Sequence, residues 1–241
     1  RMYGHLNKGE HEVATELVNE MKGYLEGLPS KVARRYFTIM RANYLVETNN
    51  WNSELTDFEI DDEDLNVTQR VVNQFVKGMK AFGKKDSETL ANVISNVEKE
   101  LDESSRQVSE EGLPMCSAAG SSRYIPNQAD LNNSNVMRME LMALKNWDSP
   151  EAEEWLNKAT ELEETIYYSF GPPYIPKPSF ELYGEWLIEN KRPEDAAIQF
   201  EKALKRGPKR MAGLKGKMQA AELSGDKTTF EEMKKALGRE S

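Results

Sequence analysis

At 241 residues, with 30% charged and only 38% hydrophobic side chains, most of each segment must stay wet, which favours layers of amphipathic helix over a thick sandwich. Acidic residues outnumber basic ones, 41 to 32, for a net charge of -9; such a chain repels a phosphate backbone, so no nucleic acid is expected as partner. No run reaches the roughly 20 apolar residues that cross a bilayer, and the single cysteine, Cys116, excludes an internal disulfide and a cysteine-built zinc site. The chain therefore reads as soluble, without membrane insertion, and its compartment stays open between cytoplasm and secretion. The sequons Asn66-Val67-Thr68 and Asn132-Asn133-Ser134 are weak hints of the latter.

In chain order, the first segment, "MYGHLNKGEHEVATELVNEM", reads as a turn at Gly9 followed by a helix carrying Ala14 and Met21 on one face. It fits the second part of a helix pair whose first helix begins before residue 1, so the chain is expected to be the C-terminal part of a longer protein. A second unit starts at Arg35, with Ala42 at its position 8, Leu45 at 11 and Trp51 at 17, and its second helix, "WNSELTDFE", looks short. A third starts at Val71, with Gly78 at 8, Leu90 at 20, Ile94 at 24 and Val97 at 27, around the turn "GKKDS". Residues 103–133 follow, rich in Ser, Gly, Asn and Pro with little periodicity, and are expected to be a flexible insert.

A fourth unit starts at Asn133, with Ala152, Leu156 and Ala159 at 20, 24 and 27, after a turn where Asp148 caps and Pro150 opens the second helix. Residues 169–179, "SFGPPYIPKPS", are proline-rich and are expected to run extended across one edge of the helices. The clearest unit begins at Lys177: Gly184 at 8, Ala196 at 20, Phe200 at 24, Ala203 at 27 and Pro208 at 32. Small residues at 8 and 20 let the two helices of a unit cross closely, the aromatic at 24 fills the space toward the neighbouring pair, and the proline stops the second helix. A last unit from Met211 has Gly225 in the turn, Asp226 at an N-cap and Phe230 where alanine is usual, which suits a terminal cap.

This spacing is the tetratricopeptide pattern, and it predicts an all-α, right-handed superhelix of about five helix pairs, an α-α solenoid with an irregular insert, forming one domain over 1–241. The stretch from Ala152 to Asp226 also resembles a large, mostly uncharacterised group of tetratricopeptide-repeat proteins. The matching elements are Glu163-Glu164, where Asp is usual at the second place, then Gly171-Pro172, Pro178 with Glu181 and Leu182, Gly184-Glu185 and Gly225-Asp226. Upstream, "RRYFTIMRANYLVETNNW" is similar as well. The resemblance implies a superhelix that binds protein or peptide, and supplies no reaction. Longer relatives carry a histidine-containing segment ahead of what corresponds to residue 1.

The resemblance further implies that positions 2, 5, 9, 12 and 13 of each first helix form an inner wall. That places Asn43, Phe75, Met79, Phe82, Met137, Glu181, Glu185 and Lys215 in a groove, apolar in its middle and acidic toward the C-terminal end, with Pro172, Pro173 and Tyr174 of the proline loop beside it. Such a groove would take a partner segment with apolar anchors and a basic group, Glu181 and Glu185 selecting the charge. The clamp that other tetratricopeptide proteins use for a carboxylate needs lysine at position 5 beside asparagine at 9; Ile39 stands in that place ahead of Asn43.

An enzymatic reading stands beside this one: the C-terminal half of an enzyme or metalloprotein whose catalytic histidines precede residue 1, with Glu163, Glu164, Glu181 and Glu185 completing the pocket. Within the chain no nucleophile elbow or phosphate loop occurs, and His5 and His11 lie six apart around the Gly9 turn, a poor spacing for one helical face. No catalytic residue, cofactor or metal ligand is therefore assigned. A structural assembly protein using its outer face is the third reading.

Overall fold

A computed structural model describes residues 1–114, 125–167 and 171–238. These residues form α1 (Met2–Leu6), α2 (His11–Gly27), α3 (Lys31–Thr48), a 3-10 turn (Glu54–Thr56), α4 (Val67–Gly83), α5 (Ser87–Ser105), α6 (Gln128–Lys145), α7 (Glu151–Thr165), α8 (Ser179–Glu189), α9 (Pro193–Arg206), α10 (Met211–Ser224) and α11 (Lys227–Gly238). The fold is all-helical; among the described residues the extended pairing is confined to an isolated bridge between Val108 and Pro114. No helix of the described residues is long and apolar enough to cross a membrane.

Local chemistry sets the helix ends. Ser30, Asn66 and Asp86 accept the first free N–H groups of α3, α4 and α5, and Asn127 closes a capping box with Asp130 at α6. Pro193 opens α9, and Gly225 in the left-handed region ends α10. Asp226 then accepts from Thr229 N at 3.1 Å at the start of α11. At α7, in contrast, Pro150 occupies the N-cap position, no side chain caps, and the helix begins at Glu151, so Asp148 does not serve as the cap.

Each helix packs on the next along the chain, so that α1–α2, α4–α5, α6–α7, α8–α9 and α10–α11 are pairs, and the second helix of each pair but the last also meets the following first helix. The first helices of successive pairs also touch: α1 with α3, α3 with α4, α4 with α6, α6 with α8 and α8 with α10. One contiguous apolar core results, running from Met2 to Ala220.

Two close approaches set the register. The Phe200 ring from α9 lies between Gly184 of α8 and Gly216 of α10, where an added Cβ would meet it at 2.7 and 2.2 Å. Gly78 of α4 does the same, but the atom that a Cβ would strike first, at 2.4 Å, is Leu141 of α6, with Val93 of its own partner helix further off at 3.3 Å. Position 8 is thus small for a contact between pairs in one unit and within a pair in the other.

The unit at Arg35 departs from the pattern, having a 3-10 turn in place of its second helix. Arg41 of α3, 2% exposed, fills that gap. Its guanidinium donates to Phe58 O at 2.6 Å and Asn73 Oδ1 at 2.7 Å, and Asn73 in turn donates to Asp62 at 2.6 Å. Burial lowers its pKa to about 10.

The irregular stretch between α5 and α6 is shorter than 103–133, because α5 runs to Ser105 and α6 starts at Gln128. Residues 115–124 of that stretch, Cys116 included, lie outside the described residues, as do 168–170 of the proline-rich one. Of the two sequon asparagines, Asn66 is 3% exposed and donates to Asp130 Oδ2 at 3.1 Å, whereas Asn132 is half-buried.

Candidate functional site

Of the charged residues of α8, Glu181 turns away from water, whereas Glu185 is half-buried and Glu189 exposed. Glu181 is fully buried and holds the Arg210 guanidinium in a two-pronged pair, Nε to Oε1 at 2.7 Å and Nη2 to Oε2 at 3.1 Å. Arg210, the N-cap residue of α10, also places Nη1 2.6 Å from Glu47 Oε1 of α3 and 2.9 Å from the Tyr3 hydroxyl of α1. One guanidinium therefore joins the first helix to the tenth. Burial opposes its charge, but the carboxylates of Glu181 and Glu47 outweigh that and hold its pKa well above the ordinary arginine value.

Around this pair stand further buried groups. Lys177, 7% exposed, donates to Glu185 Oε1; burial works against its charge, and Glu185 and Glu181 together still raise its pKa. Glu163, at the end of α7 and fully buried, accepts from Ser179 N at 2.6 Å and from the Ser179 hydroxyl, so it caps α8 from another helix. Glu140 of α6 is fully buried, and neither carboxylate oxygen has a hydrogen-bond partner among the described residues. Burial first, and the charge of Glu163 second, raise its pKa well above the ordinary 4.5, which favours its neutral form.

Beside the network opens a cleft of about 450 Å³ between α3, α4, α8 and α10. Val46, Trp51, Met79 and Met211 give it apolar walls, and Glu47, Lys177, Glu185 and Lys215 its charges. The Glu185 side chain is 45% exposed, and with Oε1 given to Lys177 its Oε2 accepts nothing among the described residues. Lys215 is exposed and makes no hydrogen bond or close ion pair among the described residues, although its charge acts on Glu47. A second hollow of about 380 Å³ lies under the α9–α10 turn, lined by Tyr3, Arg206 and Arg210. Its arginines are already engaged, Arg206 by Ile166 O at 2.7 Å and Arg210 by Glu181.

Met79, Glu185 and Lys215 thus come together in the cleft, while the other expected groove residues lie elsewhere. Phe75 and Met137 are fully buried in the core and offer no surface, because the first helices pack directly on one another there. Phe82 is half-buried and meets Trp147 edge-on at 5.4 Å. Glu181 is closed off by Arg210. Asn43, fully buried, donates to Ile39 O at 2.9 Å and to Pro173 O at 3.1 Å, so it fastens the proline loop to α3. Pro172 is exposed and Tyr174 is 38% exposed, whereas Ile175 between them and α8 is driven into the core.

The four glutamates of the enzymatic reading have separate partners: Glu163 with Ser179, Glu181 with Arg210, Glu185 with Lys177, and Glu164, exposed, 3.9 Å from Lys202. Among the described residues no three His, Cys, Asp or Glu side chains are grouped as metal ligands. Sequence reasoning did not single out Arg210, Tyr3, Lys177 or Glu140. Of the network, Glu163, Glu181 and Glu185 stood among the expected site residues, and the spacing gave no sign that a cation from the start of α10 would join them. Compared with protein-family models, curated proteins and solved structures, the chain matches none.

Proposed function

We propose that the chain is a binding scaffold of the tetratricopeptide type, a right-handed superhelix that takes a segment of a partner protein in the cleft between α3, α4, α8 and α10. The helix pairing, the contact of each first helix with the next, and the Gly184–Phe200–Gly216 sandwich support this architecture. The observation that carries the binding role is the cleft itself. At about 450 Å³ it combines apolar walls with an open carboxylate oxygen on Glu185 and the exposed ammonium of Lys215, which makes no hydrogen bond among the described residues. A peptide offers the matching chemistry: side chains for the walls, and N–H and C=O groups for the two charged positions. The basic group anticipated for the partner is met by Glu185, without Glu181. No bond-making step is assigned.

The test is selection of peptides from a displayed random library against the full chain, followed by titration of the recovered sequences. Saturable binding that Met79→Glu abolishes, with the thermal midpoint retained, is the expected result. Binders indifferent to Met79→Glu, or no binders at all, would refute the cleft reading.

A further inference from the structure

The cleft can be assigned a more specific preference, which rests on the peptide-binding reading above. Three carboxylates, Glu47, Glu181 and Glu185, surround two buried cations, Lys177 and Arg210. The sixth charge, Lys215, is exposed and so more strongly screened by water and salt. An incoming cation is therefore favoured at the Glu185 end of the cleft. Glu185 can offer it only Oε2, since Oε1 already accepts from Lys177.

A guanidinium is recognised best by two parallel carboxylate oxygens, whereas an ammonium is a compact point charge satisfied by one. The neighbouring carboxylate, Glu47, cannot supply the second oxygen, because its side chain is only 1% exposed and Oε1 faces Arg210. The walls meanwhile present Val46, Met79 and Met211, against which a straight aliphatic stem can lie while its charged head reaches the acid.

From this geometry we infer that the cleft accepts the side chain of a partner's lysine, its stem along Met79 and Met211 and its ammonium on Glu185 Oε2, in preference to arginine. The lysine side chain is chosen over an amino terminus because only the former carries a four-carbon stem ahead of the charge.

The experiment uses peptides recovered from the selection, acetylated at the amino terminus and amidated at the carboxyl terminus, titrated into the full chain. Each is compared with versions in which lysine is replaced by arginine or by norleucine. Norleucine is expected to weaken binding about tenfold, the loss typical of one charge-assisted hydrogen bond, and arginine severalfold, since it keeps one such bond without the second oxygen that its planar fork is shaped for. Glu185→Gln is expected to erase the difference between lysine and norleucine. Arginine binding as well as lysine, recovered sequences without lysine, or an unblocked amino terminus that replaces it would overturn this inference and leave the cleft reading standing. Absence of any saturable peptide binding would overturn both.

Discussion

Arg210 and Glu47 face each other with 2.6 Å between Nη1 and Oε1, although one sits at the start of α10 and the other near the end of α3. With the two-pronged pair to Glu181, this makes Arg210 the group that neutralises two buried carboxylates at once. Removing it strips both of their direct pair and leaves only the more distant Lys177 and Lys215 charges, a loss of about 3–5 kcal/mol for a buried pair. Arg210→Met is expected to lower stability by that amount in urea unfolding. Adding Glu47→Gln and Glu181→Gln to the same chain should recover most of the loss, because the charges left stranded are then gone.

The Phe200 sandwich makes a contrast between glycines. Gly216→Ala puts a methyl group 2.2 Å from the Phe200 ring and Gly184→Ala one at 2.7 Å, and each is expected to destabilise by about 1–3 kcal/mol through overpacking. Gly23 in α2 has open space around a Cβ, so Gly23→Ala should stabilise by about 0.5–1 kcal/mol. Thermal unfolding of the three variants, side by side, reads the difference.

Glu140 gives a pH dependence whose sign is fixed. Its folded pKa is raised, first by burial and then by Glu163, so between the ordinary value of 4.5 and the raised one the folded chain holds a proton that the unfolded chain has released. Its contribution is therefore fully present below the unfolded pKa and is lost as pH rises toward the folded one. The slope is at most about 1.4 kcal/mol per pH unit. Denaturation of the wild type and Glu140→Gln across pH 4 to 9, in steps of about one unit, should show the gap between them shifting in favour of the variant as pH rises above 4.5. A gap independent of pH would refute the assignment of a neutral Glu140.

Glu163 reaches the first N–H of α8 from α7, doing at a distance what an N-cap side chain does locally. Glu163→Ala frees that donor and the Ser179 hydroxyl in a fully buried place, at an expected cost of about 2–4 kcal/mol for two lost charge-assisted bonds. Since α8 carries Glu185, amide exchange in the first turn of α8 should rise before that of α4 or α6.

How much of this was legible in the sequence follows from the range of each interaction. The small-to-large matches, Gly184 with Phe200 and the alanines of the second helices, are local and periodic, so counting positions found them. The same counting sent Phe75 and Met137 to an open wall, but the first helices of successive units close on one another and bury both. The network was hidden for another reason. Glutamate is common on every face of this acidic chain, and a glutamate that will meet Arg210 looks like one that will meet water. Glu181 was thus read as a ligand contact when an arginine 29 positions later claims it. The missing second helix after α3 was visible as a short segment; its replacement by the buried Arg41 was not, since Arg41 bonds backbone carbonyls that no side-chain pattern reveals.

The cleft's role is tested most directly by methyl NMR of the methionines during titration with a selected lysine peptide. Met79 and Met211 line the cleft, whereas Met137 is fully buried in the core and serves as an internal reference. The account predicts that the Met79 and Met211 methyl signals shift in a saturable manner while Met137 stays in place. Saturable binding that leaves Met79 and Met211 unmoved would contradict it.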